Sequence, residues 1–205
     1  MAFKMKTPGT NILGAFASGL KDGPPLDEEY TPHGSYHMPA YAVSLKDLAN
    51  LQAGESIDPV AKEVAWHCVA VSKKGSIVIG EVTPRHKAPR KAGRVFDGPV
   101  RMASVSYGPT INGAYKTVLG LATLAEDLVK KFHMEGDHEP RMLRIPGILA
   151  TLLWLKSRSA GGKDWIVPLH TKISGLKEER PLSIEEFLSV VGPLARHRLA
   201  SQIFD

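Results

Sequence analysis

The most concentrated chemistry in the sequence is a set of cations within residues 85–94. Five permanently charged side chains lie in this ten-residue stretch: Arg85, Lys87, Arg90, Lys91 and Arg94. Charges this close repel one another unless water or an anion meets them. Phosphates are a natural counterpart because each neutralised phosphate releases a condensed counterion, and acidic protein surfaces serve equally well. The stretch therefore predicts a site for an anionic partner, and a solvated surface loop is the alternative interpretation.

Two lysines extend this charge along the chain. With Lys73 and Lys74, residues 73–94 hold seven Lys and Arg against one acid, Glu81, so the stretch carries +6 while the whole chain carries a formal net charge of +5. A local cluster of charge makes a directed field, whereas scattered charge mainly aids solubility. We therefore expect Lys73 and Lys74 to contact the same anionic partner as the cations of residues 85–94.

A second group of residues could ligate a metal ion. His133, Asp137 and His138 lie at the predicted end of a helix, and imidazoles and carboxylates bind zinc, manganese and iron. A metal-binding HExxH helix places both histidines one turn apart on one face, but Gly136 interrupts that face here. A polar helix end, where histidine interacts favourably with the helix dipole, explains the same residues. We therefore predict no metal and no cofactor. If a metal does bind, His133, Asp137 and His138 are the candidate ligands.

Patterns for covalent or nucleotide chemistry are missing from the sequence. It contains no Gly-x-Ser-x-Gly elbow and no Gly-x-Gly-x-x-Gly, and residues 108–117 lack the adjacent Gly-Lys-Ser/Thr of a phosphate loop. Cys68 is the single cysteine, so no intramolecular disulfide can form and a reducing, cytoplasmic location is expected. His67 and Cys68 should point to opposite faces of a strand, which makes Cys68 a buried structural thiol. We predict no catalytic residue.

The N-terminal region differs in composition from the rest of the chain. Residues 1–43 hold five Pro, five Gly and three of the five Tyr, without a helical or alternating period. Proline removes backbone donors, so this region is predicted to be an extended arm, separate from a single domain over residues 44–205. Tyr30, Tyr36 and Tyr41 are the expected anchors of the arm, either on a neighbouring chain or on its own domain.

The body of the chain alternates short strands and helices. Apolar periodicity and turn residues predict strands at residues 64–71, 77–82, 100–107, 147–155 and 165–170, although the fourth also fits a helix. Helices are predicted near residue 45, from Asn112 to Gly136, and after Ser183, which forms a capping box with Glu186. The last helix carries Phe187, Val190, Val191 and Leu194, and Gly192-Pro193 should kink or split it. This order predicts an α+β fold with a mainly antiparallel sheet of about five strands, two hairpins plus one strand, and helices packed on it.

Three hypotheses for function follow. The first is a non-enzymatic interaction or assembly protein, a subunit of a homo- or hetero-oligomer that uses the arm and the basic residues on an anionic partner surface. The second is a nucleic-acid-binding protein of low sequence specificity. The third is a metal-dependent enzyme built around His133, Asp137 and His138. No apolar run reaches the roughly 18 to 20 residues of a membrane helix, so no membrane span is expected.

Overall fold

A computed structural model describes residues 5–22, 29–52, 54–74, 77–84, 100–107 and 118–201 of the 205-residue chain. These residues form four α-helices and eight strands. In chain order they are α1 Thr10–Asp22, β1 Tyr30–Ala42, α2 Leu45–Asn50, β2 Lys62–Ser72, β3 Ile77–Pro84, β4 Val100–Tyr107, α3 Val118–Lys131, β5 His138–Ile145, β6 Ala150–Ser157, β7 Trp165–His170, β8 Leu182–Ser183 and α4 Ile184–Ser201. The chain divides into two compact units. The N-unit contains described residues within 5–40 and 63–127, and the C-unit contains those within 41–62 and 128–201.

The N-unit is built on strands in the order β4-β3-β2-β1. β2 and β3 form the predicted antiparallel hairpin, and β4 pairs antiparallel with β3 across a bulge at Glu81 and Val82. Trp66 and Cys68 share one face of β2, as predicted, and pack with Ile12 and Phe16 of α1. Alternation along the strand explains this, because successive side chains point to opposite faces.

Close packing of α1 depends on one glycine of β3. A Cβ atom built on Gly80 would overlap the ring of Phe16, which is completely buried. Glycine at this position therefore lets the aromatic ring lie against the strand backbone.

The C-unit contains strands in the order β5-β6-β7-β8, each antiparallel to the next. The predicted strands at residues 147–155 and 165–170 are confirmed as β6 and β7. Helices α2 and α4 pack together with one face of these strands in a core that includes Leu48, Leu152 and Phe187, each fully buried. Burying side chains of this size contributes roughly 1.5 to 3 kcal/mol each.

Helix α4 begins with the capping box that the sequence predicts. The backbone N–H of Glu186 donates to Ser183 Oγ at 3.1 Å, and the N–H of Ser183 donates to Glu186 Oε2 at 2.8 Å. Both bonds satisfy donors that a helix start leaves unpaired. The helix continues through Pro193 as one element, so the predicted split is absent.

The α+β class is confirmed, but the predicted sheet of about five mainly antiparallel strands and the extended N-terminal arm are wrong. The described residues form eight strands, and the supposed arm contains α1 and β1. The prediction overestimated the effect of the prolines, because each proline removes only one backbone hydrogen-bond donor. Met38 and Ala40 are completely buried in β1, so apolar burial outweighs the loss of those donors.

Two further differences concern the residues around the end of α3. Strand β5 was not predicted, because Pro140 and its charged neighbours hide the apolar pattern. Helix α3 ends at Lys131 rather than at Gly136, since His133 adopts a left-handed conformation with φ 49°. The N–H of Met134 then donates to the carbonyl of Val129 at 3.0 Å, which closes the helix as a glycine usually does. The predicted start of this helix at Asn112 lies outside the described residues.

Candidate binding surfaces

Arg85, Lys87, Arg90, Lys91 and Arg94 all lie outside the described residues. Lys73 and Lys74 are described, and both are exposed at the turn between β2 and β3. The Nζ atom of Lys73 lies 3.7 Å from a carboxylate oxygen of Glu29, and both side chains are more than four-fifths exposed. Water screens such a pair, which contributes about 0 to 1 kcal/mol. Lys73 therefore remains accessible to an anionic partner.

The three predicted tyrosine anchors lie in β1. Tyr30 packs partly against the apolar core of the N-unit. Tyr41 is buried in the C-unit, where its ring meets Trp154 edge-on at 5.7 Å between centroids. The backbone of Tyr36 belongs to the strand, and its side chain lies outside the described set. Two of the predicted contact residues thus contribute to packing within the chain itself.

The three candidate metal ligands occupy different environments. His133 and Asp137 are exposed, whereas His138 is buried with Nε2 3.2 Å from the backbone carbonyl oxygen of Lys163. That oxygen can only accept, so Nε2 carries a proton and donates it to this bond. Within the described ranges, no group of three or more His, Cys, Asp and Glu side chains is arranged to hold a metal ion.

A cleft of about 610 Å³ opens beside His133, between the residues that follow α3 and the loop that joins β6 to β7. Asp164 fixes the loop, because its carboxylate accepts from the N–H of Ser157 at 2.8 Å and from Trp154 Nε1 at 3.0 Å. The lining includes Glu135 beside His133 and Lys163, so both signs of charge are present. The cleft therefore has no clear preference for an anion.

A groove of about 640 Å³ runs along helix α4, and we call it the α4 groove. It is formed by the turn before β6, the loop after β7 and one stripe of α4. The described part of the lining has five apolar and three polar residues: Ile148, Leu149, Ile173, Val190 and Leu194, with Lys172, Ser174 and Arg198. Three of them, Val190, Leu194 and Arg198, recur every four residues, which places them on one face of the helix.

Leu149 is the most unusual residue of the α4 groove. It follows the 3-10 turn Pro146–Ile148 in a left-handed conformation, φ 51° and ψ 40°, and is 84% exposed. The left-handed region costs a residue with a Cβ roughly 1 to 2 kcal/mol. The glycine of this turn is at position 147 rather than at the left-handed position 149, because a Cβ at position 147 would overlap Leu45. The turn thus presents a large apolar side chain to solvent at a cost in backbone energy.

The charge of the α4 groove has one sign. Lys172 and Arg198 are exposed, and neither has an ion-pair or hydrogen-bond partner among the described residues. No acidic side chain of the described chain lines the groove. The groove therefore combines apolar surface with two uncompensated positive charges, which is a combination that suits an anionic, partly apolar partner.

Arg141 of the C-unit shows the contrasting, fully paired case. Its guanidinium donates to Glu139 at 2.8 Å and to Asp58 at 3.0 Å, and it lies 4.8 Å and 4.7 Å from the ring centroids of Tyr41 and Trp154. Burial alone would lower the pKa of Arg141, but the interactions with Tyr41, Glu139 and Asp58 outweigh it and raise the pKa. This cation is satisfied within the fold and is not available to a partner.

The sequence did not identify Leu149, Lys172 or Arg198. Val190 and Leu194 were predicted as apolar residues of this helix, and both are half-buried in α4. No described helix has the length and apolar character that a membrane crossing requires.

Comparisons with protein-family models, curated proteins and solved structures found no match to this chain.

Proposed function

We propose that this protein is a non-enzymatic interaction protein that binds an anionic partner as a subunit of a homo- or hetero-oligomer. The observation that carries the proposal is the α4 groove, where apolar residues lie beside Lys172 and Arg198 and none of the described lining residues is acidic. Apolar area buried in the groove favours association by about 25 cal/mol per Å² before the entropic cost of binding is subtracted. The two cations supply orientation and reject cationic partners, because like charges repel.

The size of the groove and the charge of the chain support the same proposal. A volume of about 640 Å³ falls within the range of roughly 300 to 1,000 Å³ that is typical of small-molecule sites, so the groove has room for a few side chains of a partner. The sequence adds a stretch of +6 at residues 73–94, which favours encounter with an anionic surface.

Light scattering after size exclusion tests the assembly role on untagged protein at low and high salt. We expect a mass above one chain at low salt, and loss of that mass in the double variant Lys172→Glu with Arg198→Glu. A matched control, Lys46→Glu with Lys130→Glu, changes the net charge equally at exposed lysines that do not line the groove. A wild-type monomer at all salt concentrations would contradict the homo-oligomer, and equal masses for both double variants would contradict the role of the α4 groove in it.

A second candidate function is nucleic-acid binding of low sequence specificity, favoured by the localised charge of residues 73–94. If the five cations of residues 85–94 each neutralise a phosphate of duplex DNA, the logarithm of the binding constant should fall with the logarithm of salt with a slope of about −4.5. Fluorescence anisotropy with a labelled duplex measures that slope. Replacing all five cations with Ala should abolish binding, while the α4 groove variants should not affect it.

A further inference from the structure

We infer that the occupant of the α4 groove is an acidic amphipathic helix of a partner protein, an inference that rests on the proposed function. The shape of the groove supports a helical segment. Val190, Leu194 and Arg198 lie four residues apart, so the stripe spans about 12 Å along α4 at 1.5 Å per residue. This length matches about two turns of a helix laid along α4, which is how amphipathic helices bind apolar grooves.

Leu149 gives the groove a raised apolar contact. An exposed left-handed position normally holds glycine or asparagine, since neither is strained there as a leucine is. Leu149 is 84% exposed in that conformation, so the fold gains almost nothing from its side chain. A docked helix would bury the side chain of Leu149. Because the turn already holds this side chain exposed, binding costs little further ordering of the backbone.

The two cations specify the polar side of the partner helix. Lys172 lies in the loop after β7 and Arg198 lies in α4, so two separate elements each supply one positive charge. A helix with carboxylates flanking a pair of apolar residues supplies one carboxylate for each charge, whereas a single-chain amphiphile supplies one carboxylate for both. Charge complementarity therefore favours an acidic protein helix over a fatty acid.

A defined probe tests this inference on the full chain. The probe is a fluorescein-labelled helical peptide of about 14 residues, with two leucines four residues apart and glutamates on both sides of them. We expect saturable binding with a dissociation constant below about 1 mM by fluorescence anisotropy. A matched peptide with every glutamate replaced by lysine should bind about tenfold more weakly or not at all.

Variants of the protein identify the groove as the site. Leu149→Asn should weaken the acidic peptide about tenfold while the protein remains folded, because asparagine tolerates the left-handed conformation. The double variant Lys172→Glu with Arg198→Glu should lose the acidic peptide and gain the lysine peptide. The control Lys46→Glu with Lys130→Glu should keep wild-type affinity for both.

Failure of this inference can be told apart from failure of the proposed function. If groove variants change the native mass but the acidic peptide does not bind, the partner is not an acidic helix and this inference is overturned alone. Equal binding of both peptides, or an affinity unchanged by Leu149→Asn, also overturns it. Binding of dodecanoate or of phosphatidylglycerol vesicles in place of the peptide would assign the groove to an anionic lipid instead.

Discussion

Replacing Leu149 with Asn should stabilise the protein. The left-handed backbone costs the wild-type leucine roughly 1 to 2 kcal/mol. Asparagine reduces this cost, because its short polar side chain can form a local hydrogen bond. At 84% exposure the leucine contributes little burial that the substitution could lose. We expect a gain of about 1 kcal/mol in the free energy of unfolding, or about 2 to 4 °C in the midpoint of thermal unfolding for a chain of this size.

The matched control is Leu149→Ala, which removes the same side chain but keeps the Cβ and hence the backbone cost. Its unfolding free energy should stay within about 0.5 kcal/mol of wild type, as surface substitutions usually do. Chemical denaturation of the three proteins gives both differences directly. A loss of stability in Leu149→Asn, or equal values for the two variants, would show that packing rather than backbone conformation governs this position and would refute the reasoning.

Four further predictions concern the described core and helix ends. Ser183→Ala should cost about 1 kcal/mol of unfolding free energy by removing the cap of α4. Hydrogen bonds from Ser183 lower the pKa of Glu186. The ionised carboxylate therefore stabilises the fold above the unfolded pKa of about 4.3, and this stabilisation is lost as pH falls through the folded pKa. The difference in unfolding free energy between wild type and Glu186→Ala should thus be smaller at acid pH than at neutral pH. Burial raises the pKa of Cys68 to about 12, so a thiol reagent at about pH 8 should label it only after denaturant is added. Gly80→Ala should cost about 1 to 3 kcal/mol in denaturation because the new methyl group overlaps the Phe16 ring.

Elements with local signals were predicted well from the sequence. The β2–β3 hairpin combines β-branched runs with a glycine turn, and the start of α4 combines Ser183 with Glu186 at capping-box spacing. In both cases the residues that determine the structure are neighbours in the chain. β1 and β5 were missed because their prolines argue locally against a strand, while the burial that stabilises each strand comes from distant partners.

The α4 groove was harder to predict for a different reason. Helical spacing correctly placed Val190 and Leu194 on one face of α4, but spacing does not say how far the rest of the fold covers that face. The conformation of Leu149 depends on the 3-10 turn before it, and a leucine carries no sequence signal for a left-handed backbone. Its exposure could be known only once the fold was available.

The three tryptophans lie at different sites, so the intrinsic fluorescence of this chain can report on each unit separately. Trp66 is buried in the N-unit, Trp154 is buried in the C-unit, and Trp165 lines the cleft of about 610 Å³. Replacing two of the three with Phe would leave a single emitter at a known depth in a known unit. Emission of the Trp66 and Trp154 proteins during denaturation would then distinguish one cooperative transition from separate melting of each half, and quenching by iodide would follow solvent entry at Trp165.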